Sequence, residues 1–158
     1  VSSSGHKYGT MDFDNLLFKN GKDYTPMRSY ARSKLANLLY TYEMDRRFKA
    51  RGIDASALAA HPGGSRTNLA RYLEKKWWFR ILWVLFYAMS QSQASGALPQ
   101  IRSAVDPGAS GGQYYGPGGF REQKGHPVPV QSSKSSHSKE DAEKLWQVSE
   151  KITGIKYL

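Results

Sequence analysis

Tyr30 and Lys34 stand four residues apart in Tyr30-Ala31-Arg32-Ser33-Lys34, and on a helix that spacing puts both side chains on one face. A free tyrosine, with a pKa of about 10, is a poor base at neutral pH. A neighbouring ammonium favours the phenolate. Such a phenol can exchange a proton with an alcohol or carbonyl oxygen as a general acid or base. An isolated pair of this kind is more often a surface lysine covering a ring, and Tyr42 and Arg46 repeat the spacing in the same segment. Two further groups flank it. Val1-Ser2-Ser3 upstream is an apolar residue followed by hydroxyls, as at the end of a strand, and Pro62-Gly63 lies downstream with Thr67 four residues after the glycine. His6, His61, His126 and His137 have no ligand-like spacing, so no metal site is expected. The chain has no cysteine, which excludes a disulfide scaffold, a thiolate metal site and a cysteine nucleophile.

These residues need elements to hold them. Leu35, Leu38, Leu39 and Tyr42 fall at helical spacing, which predicts a helix over 29–51 with Ser29 as N-cap, cations in its last turns and Gly52 as its stop. Residues 5–29 read as loop with one short turn near 13–18. The short apolar run 53–60 reads as a buried strand ended by His61-Pro62-Gly63-Gly64. Residues 77–89 form the most apolar stretch, interrupted only by Arg80. They are too few for a bilayer span, which needs about 20 residues. A helix is expected over 92–105, limited or kinked by Pro99, and a strand near 112–115. Loop is expected over 116–138, and a final helix over 139–153 behind Ser138. Gly116-Pro117-Gly118-Gly119 precedes no helical pattern, so it carries little weight as a phosphate site. Alternating helix and strand patterns make the fold class α/β.

The length of 158 residues suits one domain. At 39% hydrophobic and 23% charged, the composition is globular rather than disordered or fibrous. The 23 basic against 13 acidic residues leave +10. The basic residues are scattered and not interleaved with stacking aromatics, unlike a nucleic-acid interface, so nucleic acid is not an expected partner. Arg71, Lys75, Lys76 and Arg80 flank the apolar stretch and suit a membrane surface. The start at Val1, without initiator methionine or apolar leader, suggests an interior piece of a longer chain. Compensating acids in a missing part would account for the positive charge.

In order, Val1-Ser2-Ser3-Ser4-Gly5-His6, Tyr30-Ala31-Arg32-Ser33-Lys34-Leu35-Ala36-Asn37 and His61-Pro62-Gly63 with Thr67 resemble the short-chain dehydrogenase/reductase family. The finer match is to its branch of retinol dehydrogenases and protochlorophyllide reductases. The resemblance covers most of the chain, with its motifs in residues 1–69. It implies a Rossmann-like, doubly wound parallel sheet of which this is the C-terminal portion. Residues 1–69 would hold the catalytic motifs, 70–105 the substrate-region helices and 106–158 the last strand, loop and helix.

By position, Ser3 matches the serine that hydrogen-bonds the substrate oxygen, with Ser2 the register alternative. Tyr30 matches the proton donor or acceptor, and Lys34 the lysine that favours its phenolate and binds the nicotinamide ribose. Pro62, Gly63 and Thr67 match the loop at the nicotinamide end of the cofactor. The implied reaction interconverts an alcohol and a carbonyl with NADP or NAD, NADP being favoured. The apolar stretch suits a lipophilic substrate, and helix 29–51 a homo-oligomer contact. The expected location is cytoplasmic, with a peripheral membrane position as a variant. The family's glycine-rich dinucleotide turn and its catalytic asparagine have no counterpart here. Two rival readings follow: an inactive fragment acting as an interaction module, and a basic membrane-surface protein.

Overall fold

The computed structural model describes residues 1–64 and 90–158. Thr67, the basic residues 71–80 and the apolar stretch 77–89 lie outside the described residues. Helix α1 spans Pro26–Ala50, so it begins earlier than a Ser29 cap would allow. Its N-cap is Thr25, whose Oγ1 accepts the Arg28 N–H at 3.1 Å. Pro26 takes the first turn, where its fixed φ is already helical and no N–H is missed. Ser29 is already inside, its N–H bonded to the Thr25 carbonyl at 3.0 Å. At the other end Gly52 adopts φ +62. The Gly52 and Ile53 N–H groups return to the Lys49 and Phe48 carbonyls at 3.2 and 3.0 Å, a Schellman closure.

The run 53–60 contributes less strand than its apolar character suggested. Only Ala59–Ala60 (β1) is strand. After Gly52 the Ala55 N–H turns back to the Ile53 carbonyl at 2.8 Å, and the Ala57 N–H is taken by Asp45 Oδ1 at 3.4 Å. Groups committed locally do not join a ladder. The strand expected at residues 1–3 is likewise reduced to one bond, from the Ser2 N–H to the Ala60 carbonyl at 2.8 Å. Beyond it the chain turns at once into the 3-10 helix Ser4–Tyr8.

Strand β2, Tyr114–Pro117, starts two residues later than expected because Gly112 at φ +83 is still in a turn. The expected loop 116–138 contains a third strand, β3, at Pro127–Pro129. The order is β1-β2-β3. Ala59 and Ala60 pair in parallel with Tyr114 and Tyr115, while β2 and β3 are antiparallel. The described sheet is therefore mixed, a parallel pair with an antiparallel edge, a common arrangement in α/β folds. The prolines at both ends of β3 suit an edge position.

Helix α2, Gln93–Val105, starts where expected, at Ser92, and runs through Pro99 without stopping. Helix α3, Lys139–Thr153, is capped by Ser138 and ends at Gly154, φ +72. Alternation along the strands sorts the layers. Ala59 and Tyr114 pack with Leu38 and Tyr42 of α1, whereas Tyr115 points to the other face, with the Arg102 guanidinium of α2 5.8 Å from its ring centre. The sheet thus lies between α1 and α2. On its outer side α1 packs Leu35 and Leu39 against Ala142 and Leu145 of α3. Burying side chains such as Leu38 and Leu39 contributes about 2 kcal/mol each. Among the described residues no helix is long and apolar enough to cross a membrane.

Candidate active site

Loops at the carboxyl ends of parallel strands are where α/β folds place ligands. Here those ends are β1, followed by His61-Pro62-Gly63, and β2, followed by the 118–125 loop. The serine turn joins them through the Ser2 N–H bond to Ala60. Helix α1 fixes the start of that turn, because Asn37 Nδ2 donates to the Val1 carbonyl at 2.8 Å and Ser2 Oγ to the Lys34 carbonyl at 2.9 Å.

The two serines therefore differ in environment. Ser2 is 2% exposed and committed to α1. Ser3 is partly exposed, caps the Ser4–Tyr8 turn, and accepts the Gly5 N–H on Oγ at 3.2 Å. Gly5 shows how close Ser3 comes to Tyr30. A Cβ on Gly5 would stand 2.9 Å from Tyr30 Cε1 and 3.5 Å from Ser3 Oγ, so serine oxygen and phenol edge border one point. Lys34 Nζ lies 5.5 Å from the Tyr30 ring centre, within cation–π range. Ser3, Tyr30 and Lys34 are thus together. Pro62 and Gly63 follow β1 at the same sheet edge; Thr67 is outside the described residues.

A layer of buried groups, which the motif reading left without roles, supports these residues. His6 is fully buried. Its Nδ1 pairs with the Ser3 carbonyl at 2.6 Å, and its Nε2 accepts the Ser133 N–H at 3.0 Å. That pattern assigns the hydrogen to Nδ1, and burial lowers the pKa of the ring. His61 is also fully buried. Its Nδ1 accepts the Gly63 N–H at 3.2 Å, and its Nε2 lies 3.1 Å from Glu122 Oε2. The two atoms are in range but not aligned for a hydrogen bond. Burial lowers the His61 pKa, against the opposing pull of Glu122. A Cβ at Gly116 would collide with His61 Nε2, so within Gly116-Pro117-Gly118-Gly119 this glycine accommodates an imidazole rather than a phosphate.

Tyr114 lies beneath both histidines, its ring centre 5.6 Å from His6 and 5.1 Å from His61. Its hydroxyl sits beside Ser2 but finds no hydrogen-bond partner among the described residues. Burial pushes its pKa far up, so it stays a neutral phenol. Gln91 closes the other side. Its Nε2 donates to the Pro62 carbonyl at 2.9 Å, its N–H to the Gly64 carbonyl at 2.8 Å, and its Oε1 accepts the Gly125 N–H at 3.3 Å. In the loop it holds, Arg121 and Glu122 take φ 49 and 56, left-handed backbone that costs non-glycine residues about 1–2 kcal/mol each. His6 and His61 were visible in sequence as parts of motifs. Glu122 gave no signal, because its partners are remote in the chain. Among the described residues, no group of three or more His, Cys, Asp or Glu side chains could hold a metal.

A partial α/β sheet thus carries a serine, a tyrosine and a lysine at its carboxyl edge. Comparison with known proteins places the chain among its relatives. The chain is 34% identical to retinol dehydrogenase 14 of Homo sapiens over 98% of its own length and 43% of that protein. It is 31% identical to retinol dehydrogenase 12 of Homo sapiens, over 99% of the chain and 45% of that protein. A crystal structure of an uncharacterized protein from Mycobacterium Paratuberculosis superposes with a TM-score of 0.74 at 32% identity, covering 99% of this chain and 50% of that one. No protein-family model matches. The chain belongs to the short-chain dehydrogenase/reductase family, in its retinol dehydrogenase-like branch, and corresponds to the C-terminal part of these proteins. It spans less than half the length of those retinol dehydrogenases.

Proposed function

We propose that the chain is the catalytic C-terminal part of an NAD(P)-dependent oxidoreductase that interconverts an alcohol and a carbonyl on a lipophilic substrate. The single observation that carries this reading is the convergence of Ser3 Oγ and the Tyr30 ring on one point at Gly5, with Lys34 Nζ near the same ring. Ser3 holds the substrate oxygen by a hydrogen bond. Tyr30 takes the hydroxyl proton when an alcohol is oxidised and returns it when a carbonyl is reduced. Lys34, beside the Tyr30 ring, would bind the nicotinamide ribose. The dinucleotide, when bound, accepts or supplies the hydride.

Lys34, Tyr30 and Pro62-Gly63 would hold the nicotinamide end of such a cofactor. Pro62-Gly63 sits at the carboxyl end of β1, and Lys34 Nζ lies 5.5 Å from the Tyr30 ring centre. Among the described residues no glycine-rich turn leads into a helix that could cradle the pyrophosphate. The whole enzyme would be a doubly wound parallel sheet, with this chain as one domain's C-terminal portion and its nucleotide-binding half outside it. NADP remains the favoured cofactor, helix α1 a candidate contact for a homo-oligomer, and the cytoplasm the proposed location, with a peripheral membrane position as the variant. A lipophilic substrate is supported by the names of the relatives. Tyr8 and Phe120, 82% and 72% exposed, add apolar surface to the Ser4–Tyr8 turn and the 118–125 loop, two segments that meet where Lys7 and Glu122 approach to 3.3 Å.

Titration with NADPH, followed by tryptophan fluorescence, tests the reading. Saturable binding is expected, with Tyr30→Phe keeping it while turnover falls about 10²- to 10⁴-fold, the range of a lost general acid or base. A chain that binds neither NADPH nor NADH is not an enzyme of this kind by itself.

A further inference from the structure

We propose that Glu122 is a positioning residue that couples the serine turn to the cofactor loop, its carboxylate held between Lys7 and His61. This rests on the reading of Ser3 and Pro62-Gly63 as two sides of one active site. Glu122 Oε1 meets Lys7 Nζ at 3.3 Å, and Oε2 lies 3.1 Å from His61 Nε2. Lys7 belongs to the Ser4–Tyr8 turn that Ser3 caps. His61 directly precedes Pro62-Gly63 and accepts the Gly63 N–H. One carboxylate therefore touches both walls of the site.

The backbone that presents Glu122 is built for this. Arg121 and Glu122 hold positive φ without being glycine, and such conformations persist where the surroundings over-determine them. Here the Gly64 N–H bonds to the Gln123 carbonyl at 2.8 Å, and Gly119 bonds to the Lys124 carbonyl at 3.0 Å. Gln91 ties Gly125 to Pro62. The Glu122 side chain is turned inward, 22% exposed, with Oε2 fully buried. Because Nδ1 accepts the Gly63 N–H, the neutral His61 ring carries its hydrogen on Nε2, the atom that faces the carboxylate. His61 in turn fills the space that Gly116 leaves. A relative shift of the two walls by about 1 Å is enough to cost about a hundredfold in rate, so a strut between them sets the working geometry without touching substrate.

The test uses Glu122→Gln and Lys7→Met. Both positions are at least partly exposed, and melting temperatures near wild type will confirm folding. Amide hydrogen exchange is read at 5–9 and at Gly63 and Gly64 without dinucleotide, and NADPH binding and turnover are read on the same samples. Lys7→Met changes only the serine-turn side, so faster exchange at Gly63 and Gly64 is the cross-site signal that a local structural role would not produce. Glu122→Gln should loosen both segments and lower turnover by about tenfold or more, with a smaller change in NADPH affinity. Unchanged exchange at Gly63 and Gly64 in Lys7→Met overturns the coupling, even where wild type binds and turns over normally. A wild type that binds no dinucleotide, while Lys7→Met still loosens Gly63 and Gly64, overturns the oxidoreductase reading and leaves the coupling standing.

Discussion

Gly63→Ala isolates the contact that packs the 118–125 loop on the Pro62-Gly63 turn. Gly63 has φ +64, and left-handed backbone costs alanine about 1 kcal/mol. The added Cβ would also stand 2.6 Å from the Gln123 carbonyl oxygen, 2.8 Å from that of Glu122 and 2.7 Å from Pro117 Cγ. Two of these are backbone atoms, which cannot swing aside like the end of a flexible side chain. Overpacking of this kind costs about 1–3 kcal/mol, so the total is about 2–4 kcal/mol. Gly52 provides the control, since its φ is +62 and nothing lies within 4 Å of its added Cβ. Gly52→Ala should cost only the backbone part, about 1 kcal/mol. Urea unfolding of both variants beside wild type measures the difference, and native stabilities of about 5–15 kcal/mol leave room for it. The excess for Gly63 should appear as a lower midpoint at unchanged slope. Equal costs at the two glycines would refute the packing of the 118–125 loop on the Pro62-Gly63 turn.

Arg32 is 5% exposed and donates to the carbonyls of Thr10, Asn15 and Leu16 at 3.2, 2.7 and 3.0 Å, with Phe18 stacked at 4.1 Å. Arg32→Lys cannot reproduce that planar fork and should cost about 1.5–3 kcal/mol, read as faster proteolysis within 10–24; unchanged resistance would count against the tether. His6 and His61 are both lowered from 6.5 by burial, so the unfolded chain binds protons first on acidification. Stability is then full above pH 6.5 and falls as pH drops below it, levelling only beneath the folded values. Urea midpoints from about pH 8 to about pH 5 should show the decline, and a flat profile would contradict it.

The helical elements were legible where their signals are local. Tyr30 and Lys34 share one helix face by spacing alone, Ser138 and Gly154 mark the last helix, and Ser92 marks α2. Local rules went wrong where a neighbour outbid them. Pro26 and Thr25 started α1 ahead of Ser29, and Asp45 took the Ala57 N–H that a strand over 53–60 would have paired. The 116–138 segment read as loop because its glycines and prolines mask a strand. Val128 is paired only through Gly116, across a hairpin that sequence spacing does not reveal.

By itself the sequence determined which residue types are available for proton transfer, and the helix that pairs two of them. Tertiary structure alone separated the two serines: Ser2 is pinned to the Lys34 carbonyl, whereas Ser3 Oγ and the Tyr30 ring both border Gly5. Structure alone also brought Glu122 to His61 and Lys7, 115 residues from the latter. The physical reason is the same for both. Helical spacing is set by covalent geometry, whereas a contact between loops depends on where the sheet, its edge strand and two buried histidines set the backbone.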